Sequence, residues 1–542
     1  MVASSHVLAS EIGAEVLAQG GNAVDAAVAT GLALAVVYPQ AGNLGGGGFM
    51  LVHLAEGRQV VIDYRETAPR AATAEMYLDE DGDVRRGAGS STLGWRASGV
   101  PGTVAGLAYA FDNYGSGRVS WSTLVEPARR LAAEGHVVSS ATAAHLRAHA
   151  RLLGLEPETR RIFLDDGKFR QAGDRWLQPE LASTLERVQR EGAAGFYHGE
   201  TARLIATAME KNGGTLTAAD LAEYRVRERV PLRGSYRGYD IVTMPPPSSG
   251  GIALLQMLAM LEPHNVRALG AVSADRYHLF TEVMRRAFRV RAEFLGDPDF
   301  VSVPVQALLS PAYPARLMQD FDPARATPSD QIGAPTPVLA EALETTHFSI
   351  VDAAGNAVAN TYTLNGNYGS GVTVPGTGVL MNNEMDDFTS KVGVRNMFGL
   401  LQGEANAIAP GKRPLSSMTP TLVFKDGQLL LATGSPGGPT IINTVLQVLT
   451  HVIDLEMPLK DAVAAPRIHH QWMPDALTYE QNGLPDDIAA ELRSRGHTVK
   501  ARESYEGATQ GAANSVGIDP ITGRRIGVGD PRRGDSGAVG VE

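Results

Sequence analysis

Cysteine is absent from the 542 residues. That excludes disulfides, thiolate metal sites and a cysteine nucleophile. An excess of positive charge is also missing: 48 Lys and Arg stand against 59 Asp and Glu, a net charge of −11. Nucleic acid as a partner calls for a basic patch, and an anionic membrane face calls for the same sign. Long apolar runs are lacking too. The most apolar early stretch, residues 26–38, is too short to span a bilayer and follows Asp25 directly, so it reads as a buried helix. The first ten residues, "MVASSHVLAS", have neither the basic start nor the apolar stretch of an export signal. No G-x-S-x-G elbow and no H-E-x-x-H pair occurs. The glycine run at residues 45–48 lacks the lysine of a phosphate loop and the G-x-G-x-x-G setting, and reads as a tight-packing segment. There is no internal repeat.

What is present is a mixture of helical and strand patterns on both sides of a proline-rich stretch. "GGNAVDAAVATGLALAVVYP" has a helix start at Gly21 and Asn22 and a stop at Pro39. "GGGGFMLVHL" and "RQVVIDYRETAP" read as strands. Helical periodicity dominates residues 103–221, and "MPPPSSGGIALLQMLAML" leads from a turn into another helix. Residues 320–344 contain four prolines and little apolar periodicity, and read as an exposed, flexible segment. After them come "THFSIV", "AVANTYTL", "PTLVF" and "QLLLATG", all strand-like, and then the helix "IINTVLQVLTHVID". A layered helix–sheet–sheet–helix fold fits this mixture, although pattern alone does not separate it from a three-layer α/β fold.

The strand that starts this β-rich part begins with two threonines, Thr345 and Thr346. Phe348 and Ile350 alternate with His347, Ser349 and Val351, and residues 352–356, "DAAGN", form a turn. If Val351 pairs with Ala357, Thr345 comes opposite Thr363. Threonine is a good strand residue, and that alone accounts for the pair. A second account is self-processing. Cleavage between Glu344 and Thr345 gives Thr345 a free α-amine beside its own hydroxyl. Such an amine has a pKa of about 7.7–8.0 and serves as a base near neutral pH. A threonine activated by its own N-terminal amine is a workable nucleophile.

From "GGNAVDAAVA" and "PQAGNLGGGGFM" through "MPPPSSGG", "TTHFSIVD", "NNEMDDF", "KRPLSSMTPT" and "GSPGG" to "PRIHHQW", the chain resembles the γ-glutamyltranspeptidase family of self-cleaving N-terminal-nucleophile hydrolases. The resemblance implies an α+β fold, a four-layer αββα sandwich. It implies a large subunit, 1–344, and an interlocking small subunit, 345–542, joined before cleavage by the segment 320–344. Thr345 would be the nucleophile and Thr363 its hydrogen-bond partner. Arg65, Ser416 and Ser417 match groups that bind a substrate α-carboxylate; Asn365, Glu384 and Asp387 match those that bind its α-ammonium. Gly437 and Gly438 match the oxyanion donors. His469 and His470, which look like ligands or bases, are read as structural because Thr345 carries its own base.

The implied substrates are glutathione and other γ-glutamyl compounds, with water, amino acids or dipeptides as acceptors. No cofactor or metal is implied, nor a nucleic-acid partner or membrane span. The family works in the periplasm or outside the cell; without a visible signal, the cytoplasm stays open. Set beside full-length family members, the chain is expected to start later, lacking their leader and first segment. Where the family often has a lid loop with a tyrosine at its tip, this chain has Phe398, so gating there is expected to be weaker or purely apolar. Two rivals are a glutaryl or cephalosporin acylase of the same fold and an uncleaved amino-acid-binding protein.

Overall fold

The computed structural model describes residues 1–332, 345–502 and 509–541. Two stacked sheets form its centre. The first has seven strands in the order Gly537–Val539, Val2–Ser4, Thr346–Val351, Ala357–Thr363, Gly47–His53, Gln59–Tyr64 and Arg227–Arg229. The second has six: Arg525–Val528, Ser515–Ile518, Gln428–Thr433, Thr421–Lys425, Tyr239–Thr243 and Leu232–Tyr236. Neighbouring strands in both sheets pair antiparallel.

Period-two alternation sorts each strand between two apolar layers. Phe49, Leu51, Val61 and Ala359 of the first sheet meet Val242, Leu422, Phe424 and Val516 of the second. On the outer face of the first sheet, Met50, Val52, Ile62, Phe348 and Val358 pack on Val24, Val28, Leu32 and Leu107. The helix Ala23–Val37 is buried along its whole length. Its start is set by a capping box: Asn22 accepts from Val24 N and Asp25 N, and Asp25 accepts from Asn22 N. On the far side, the second sheet covers its face with the helices Gly250–Leu261, Ala274–Phe294 and Thr440–Ile453. The result is the four-layer αββα sandwich expected from the sequence. Among the described residues no helix is long and apolar enough to cross a membrane.

Both sheets draw strands from before and after Thr345. Parting the chain at that residue therefore leaves its two portions hydrogen-bonded through both sheets. Over 320–332, the described part of the run expected to be exposed, most residues are exposed, but the stretch is anchored locally. Ser329 is fully buried, its N–H donates to Asp475 and its carbonyl accepts from Trp472, while Thr327 N donates to Glu282. Polar residues and prolines hid this anchoring because each partner lies far along the chain. Residues 333–344 lie outside the described residues.

The glycines at 45–48 are a matter of space. A side chain at Gly46 collides with the carbonyl of Thr363, one at Gly45 with that of Leu380, and one at Gly48 with that of Thr361. Backbone thus lies directly against backbone beside Thr363. Gly46→Ala is expected to lower stability by about 1–3 kcal/mol through overpacking, read as the shift of a urea midpoint; an unchanged midpoint contradicts this account of the run.

Candidate active site

The turn at 352–356 sets the hairpin register, with Ala357 opposite Val351 and Tyr362 opposite Thr346. One step further, Thr363 Oγ1 donates to Thr345 Oγ1 at 3.3 Å. Thr363 Oγ1 itself accepts from Asn365 N at 2.8 Å, which orients its proton toward Thr345. Asn365 adopts φ +76°, a left-handed conformation that asparagine tolerates, and its amide donates to Asn383 O at 3.0 Å. Thr346 points the other way, donating to Ser5 Oγ at 2.9 Å. The two threonines are therefore in different surroundings. Glu344 lies outside the described residues.

Thr345 and Thr363 line a pocket together with Arg65, Asn365, Glu384, Asp387, Ser416, Ser417 and Gly438. Phe398 and Leu400 supply apolar wall, with Ile441 from the start of the helix Thr440–Ile453. All the residues singled out in the sequence for nucleophile and ligand binding converge here, except that Gly437 sits one residue back from the lining. Gly437 and Gly438 have φ +124° and +51°, conformations that favour glycine. Thr440 closes the turn by donating its N–H and its hydroxyl to Gly437 O, at 3.0 and 2.7 Å. The turn thus delivers its backbone to a helix N-terminus, where N–H groups attract negative charge.

Arg65 is fully buried at the end of the strand Gln59–Tyr64. Its Nη2 donates to Asp387 Oδ2 at 2.5 Å, its Nη1 pairs with Glu384, and Glu66 Oε2 lies 3.7 Å away. Burial alone lowers its pKa, but Glu384, Asp387 and Glu66 reverse that and hold the guanidinium above its ordinary value. Glu384 is pushed up by burial against the opposing pull of Arg65. Glu66 adjoins Arg65 in "DYRETAP" yet was not singled out in the sequence; adjacency along a strand end does not reveal that both side chains enter one cluster. Ser416 Oγ accepts from Met418 N at 3.1 Å, and Ser416 O is held by Ser249 through both N–H and hydroxyl.

The segment that matches the family's lid loop is held by hydrogen bonds. Asp386 accepts from Ser91 Oγ at 2.7 Å and from Met397 N at 2.8 Å, and burial pushes its pKa up to about 6. Asn396 Oδ1 accepts from Phe398 N and Leu400 N, and Gln471 donates to Phe398 O. Phe398 is itself buried, so its tip packs into the core. The Phe398 ring packs among apolar residues, and its backbone is held by polar contacts that the sequence did not disclose.

The two histidines singled out in the sequence are engaged. His469 pairs with Asn443 and Gln471, and His470 with Asp475 and Trp472 N; burial lowers them to about 3 and about 4, so both are neutral. One buried cluster, His278, Glu282 and His497, brings possible metal-ligand atoms within 4.8 Å of one another. There Glu282 already pairs with Arg285 and Arg286, and His278 Nδ1 lies 2.7 Å from His497 Nε2, so the carboxylate and both facing nitrogens are engaged.

Comparison with known proteins agrees with this arrangement. The γ-glutamyltranspeptidase family model matches residues 9–540. The glutathione hydrolase proenzyme of Pseudomonas sp. (strain A14) is 46% identical over 544 residues, covering 100% of this chain and 94% of that protein. The glutathione hydrolase proenzyme of Escherichia coli (strain K12) is 45% identical, covering 100% and 91%. The crystal structure of cephalosporin acylase from Bacillus halodurans superposes with a TM-score of 0.86 at 28% identity, covering 100% of this chain and 95% of that one. The matched span takes in Arg65, both threonines, the acidic turn and the glycine pair, and the chain belongs to the γ-glutamyltranspeptidase family.

Proposed function

We propose that this protein is a self-processing γ-glutamyl acyltransferase and glutathione hydrolase with Thr345 as nucleophile. The observation that carries the reading is the Arg65–Glu384–Asp387 cluster sharing one pocket with Thr345. A γ-glutamyl group ends in an α-carboxylate and an α-ammonium. Entering this pocket, the carboxylate takes Arg65 and the serine hydroxyls, while the ammonium takes Glu384 and Asp387. The exchange replaces internal ion pairs by equivalent ones, so no buried charge is stranded. Asn365 completes the polar lining on the ammonium side.

Processing comes first in this scheme. The Thr345 hydroxyl attacks the carbonyl carbon of Glu344; the C–N bond breaks as the ester forms, and the nitrogen becomes the free amine of Thr345. Water then hydrolyses the ester, leaving the Glu344 carboxylate. The products are a large subunit, 1–344, and a small subunit, 345–542, held as a heterodimer by the shared sheets. In turnover the same hydroxyl attacks the γ-carbonyl and its proton passes to the α-amine. Thr363 donates to the nucleophilic oxygen, and the N–H groups of Gly437 and Gly438 receive the oxyanion; one such donor is worth on the order of 10²–10³ in rate. The amine product leaves with a proton from the Thr345 ammonium. Water, an amino acid or a short peptide then takes the acyl group from the ester.

The likeness to a cephalosporin acylase gives a second reading some support. A glutaryl donor, however, lacks the α-ammonium: its carboxylate competes with Glu384 and Asp387 for Arg65 and brings no cation to replace it.

Three outcomes test these readings. On a denaturing gel the wild type gives two fragments and Thr345→Ala one chain; two fragments from that variant refute the nucleophile assignment. Asp387→Asn lowers kcat/KM for a γ-glutamyl anilide by about 10²-fold, a buried charge pair being worth roughly 3 kcal/mol, and lowers it far less for a glutaryl anilide. An equal loss on both, or a wild type that prefers the glutaryl substrate, favours the acylase. Burial pushes Glu66 up to about 7 against the opposing pull of Arg65. A raised carboxyl pKa means the folded state keeps a proton that the unfolded chain loses from about pH 4.5. Stability from this group is therefore present at low pH and lost as pH rises toward 7. Urea unfolding of the uncleaved Thr345→Ala chain should weaken between pH 5 and 7.5, and adding Glu66→Gln should remove on the order of 1–3 kcal/mol of that slope; an unaltered slope rejects the assignment.

A further inference from the structure

The helix Ala274–Phe294 carries several buried arginines, and they differ in what compensates them. Arg285 and Arg286 pair with Glu282, and the guanidinium of Arg276 lies over the ring of Phe280. Arg291, in the last turn, is 2% exposed. Its Nε donates to Ser249 Oγ at 3.0 Å, its Nη1 to Gln402 Oε1 at 3.4 Å and its Nη2 to Ser417 Oγ at 3.5 Å. Every one of these partners is neutral, and among the described residues no carboxylate oxygen comes within 4.0 Å of it. A buried cation whose hydrogen bonds all go to neutral groups remains uncompensated in charge.

Its contacts lead to the carboxylate side of the pocket. Through Ser249, whose hydroxyl donates to Ser416 O at 2.7 Å, Arg291 braces the backbone of Ser416. By donating into Ser417 Oγ it occupies a lone pair there and leaves the hydroxyl proton free for the pocket that Ser417 lines. We infer that Arg291 is a positioning and specificity residue for the substrate α-carboxylate, orienting Ser416 and Ser417 from behind and supplying a positive charge that the bound carboxylate compensates. The inference rests on the γ-glutamyl reading and adds to it. Burial lowers the Arg291 pKa to about 10, with Asp387 opposing and Arg65 assisting, so the group stays charged at neutral pH and lies within the field of the ligand-binding ions.

The test compares wild type, Arg291→Gln and Arg291→Lys on three anilides: γ-glutamyl, with both end charges; glutaryl, with the carboxylate alone; and 4-aminobutyryl, with the ammonium alone. Two-fragment processing and thermal midpoint are recorded for each variant. Arg291→Gln should raise KM for the γ-glutamyl anilide about tenfold with kcat within roughly threefold, and should lower kcat/KM for the glutaryl anilide to a similar degree. The 4-aminobutyryl anilide should change by less than about twofold. Arg291→Lys, which keeps the charge but loses the fork, should recover much of the affinity. Equal losses on all three substrates in a processed variant overturn the inference, because they describe a scaffold defect; so does an unchanged KM. If Arg291→Gln does not fold, Arg291→Met, which keeps an unbranched side chain and removes the charge, decides by the same comparison of substrates with and without the carboxylate. A wild type active on the γ-glutamyl anilide with neutral variants sinks this inference alone, whereas a wild type inactive on it sinks the proposed function as well.

Discussion

A guanidinium with no access to water must be compensated by something, and the site is organised around how Arg65 is. It sits at the end of a first-sheet strand and draws Glu384 and Asp387 from a turn more than three hundred residues away in the chain. That pairing ties the sheet to the turn "NNEMDD", which through Asp386 also holds the lid segment at Met397. Removing one member of such a cluster leaves an unpaired buried charge, a loss of about 3–5 kcal/mol. A ligand with both charges exchanges places with the internal pairs without that loss. Structural compensation in the empty protein and recognition of a zwitterion are thus two uses of the same ions.

The threonine pair depends on a different constraint, backbone register. Because successive strand residues face opposite ways, a slip of one residue would bring Thr346 toward the pocket and turn Thr345 to Ser5. The short turn at 352–356 on one side and the glycine run on the other hold the register. Gly46 and Gly48 let the strand Gly47–His53 lie directly against the carbonyls of Thr361 and Thr363. The glycines thus serve the site through packing, without touching a ligand.

How much of this was legible follows from the range of each interaction. The hairpin register, the cap at Asn22 and the alternation of Phe348 and Ile350 depend on near neighbours, and the sequence displays them. The roles of Arg65, Glu384, Asp387 and the serine pair were readable only as a resemblance, since a charged turn and a loop of serines look ordinary by themselves. Arg291 and Glu66 were not readable at all. The helix Ala274–Phe294 has five arginines, and no periodicity tells which meets an acid, which a ring and which the back of a serine. In residues 320–332 the proline and polar composition signals the exposure that most of them have, while the anchoring of Ser329 by Asp475 and Trp472 lies beyond the reach of any local pattern.

By itself, the sequence determined the exclusions and the local geometry: no thiol chemistry, a net negative charge, a hairpin that sets Thr345 opposite Thr363, and glycines where backbone must approach backbone. Only the tertiary structure decided which charges share one buried volume, because Coulomb energy depends on distance through space and on burial, and neither is a function of separation along the chain. Arg65 therefore meets acids from a remote turn, while Arg291, equally buried, meets only neutral donors and acceptors and is left with a charge for the ligand to answer.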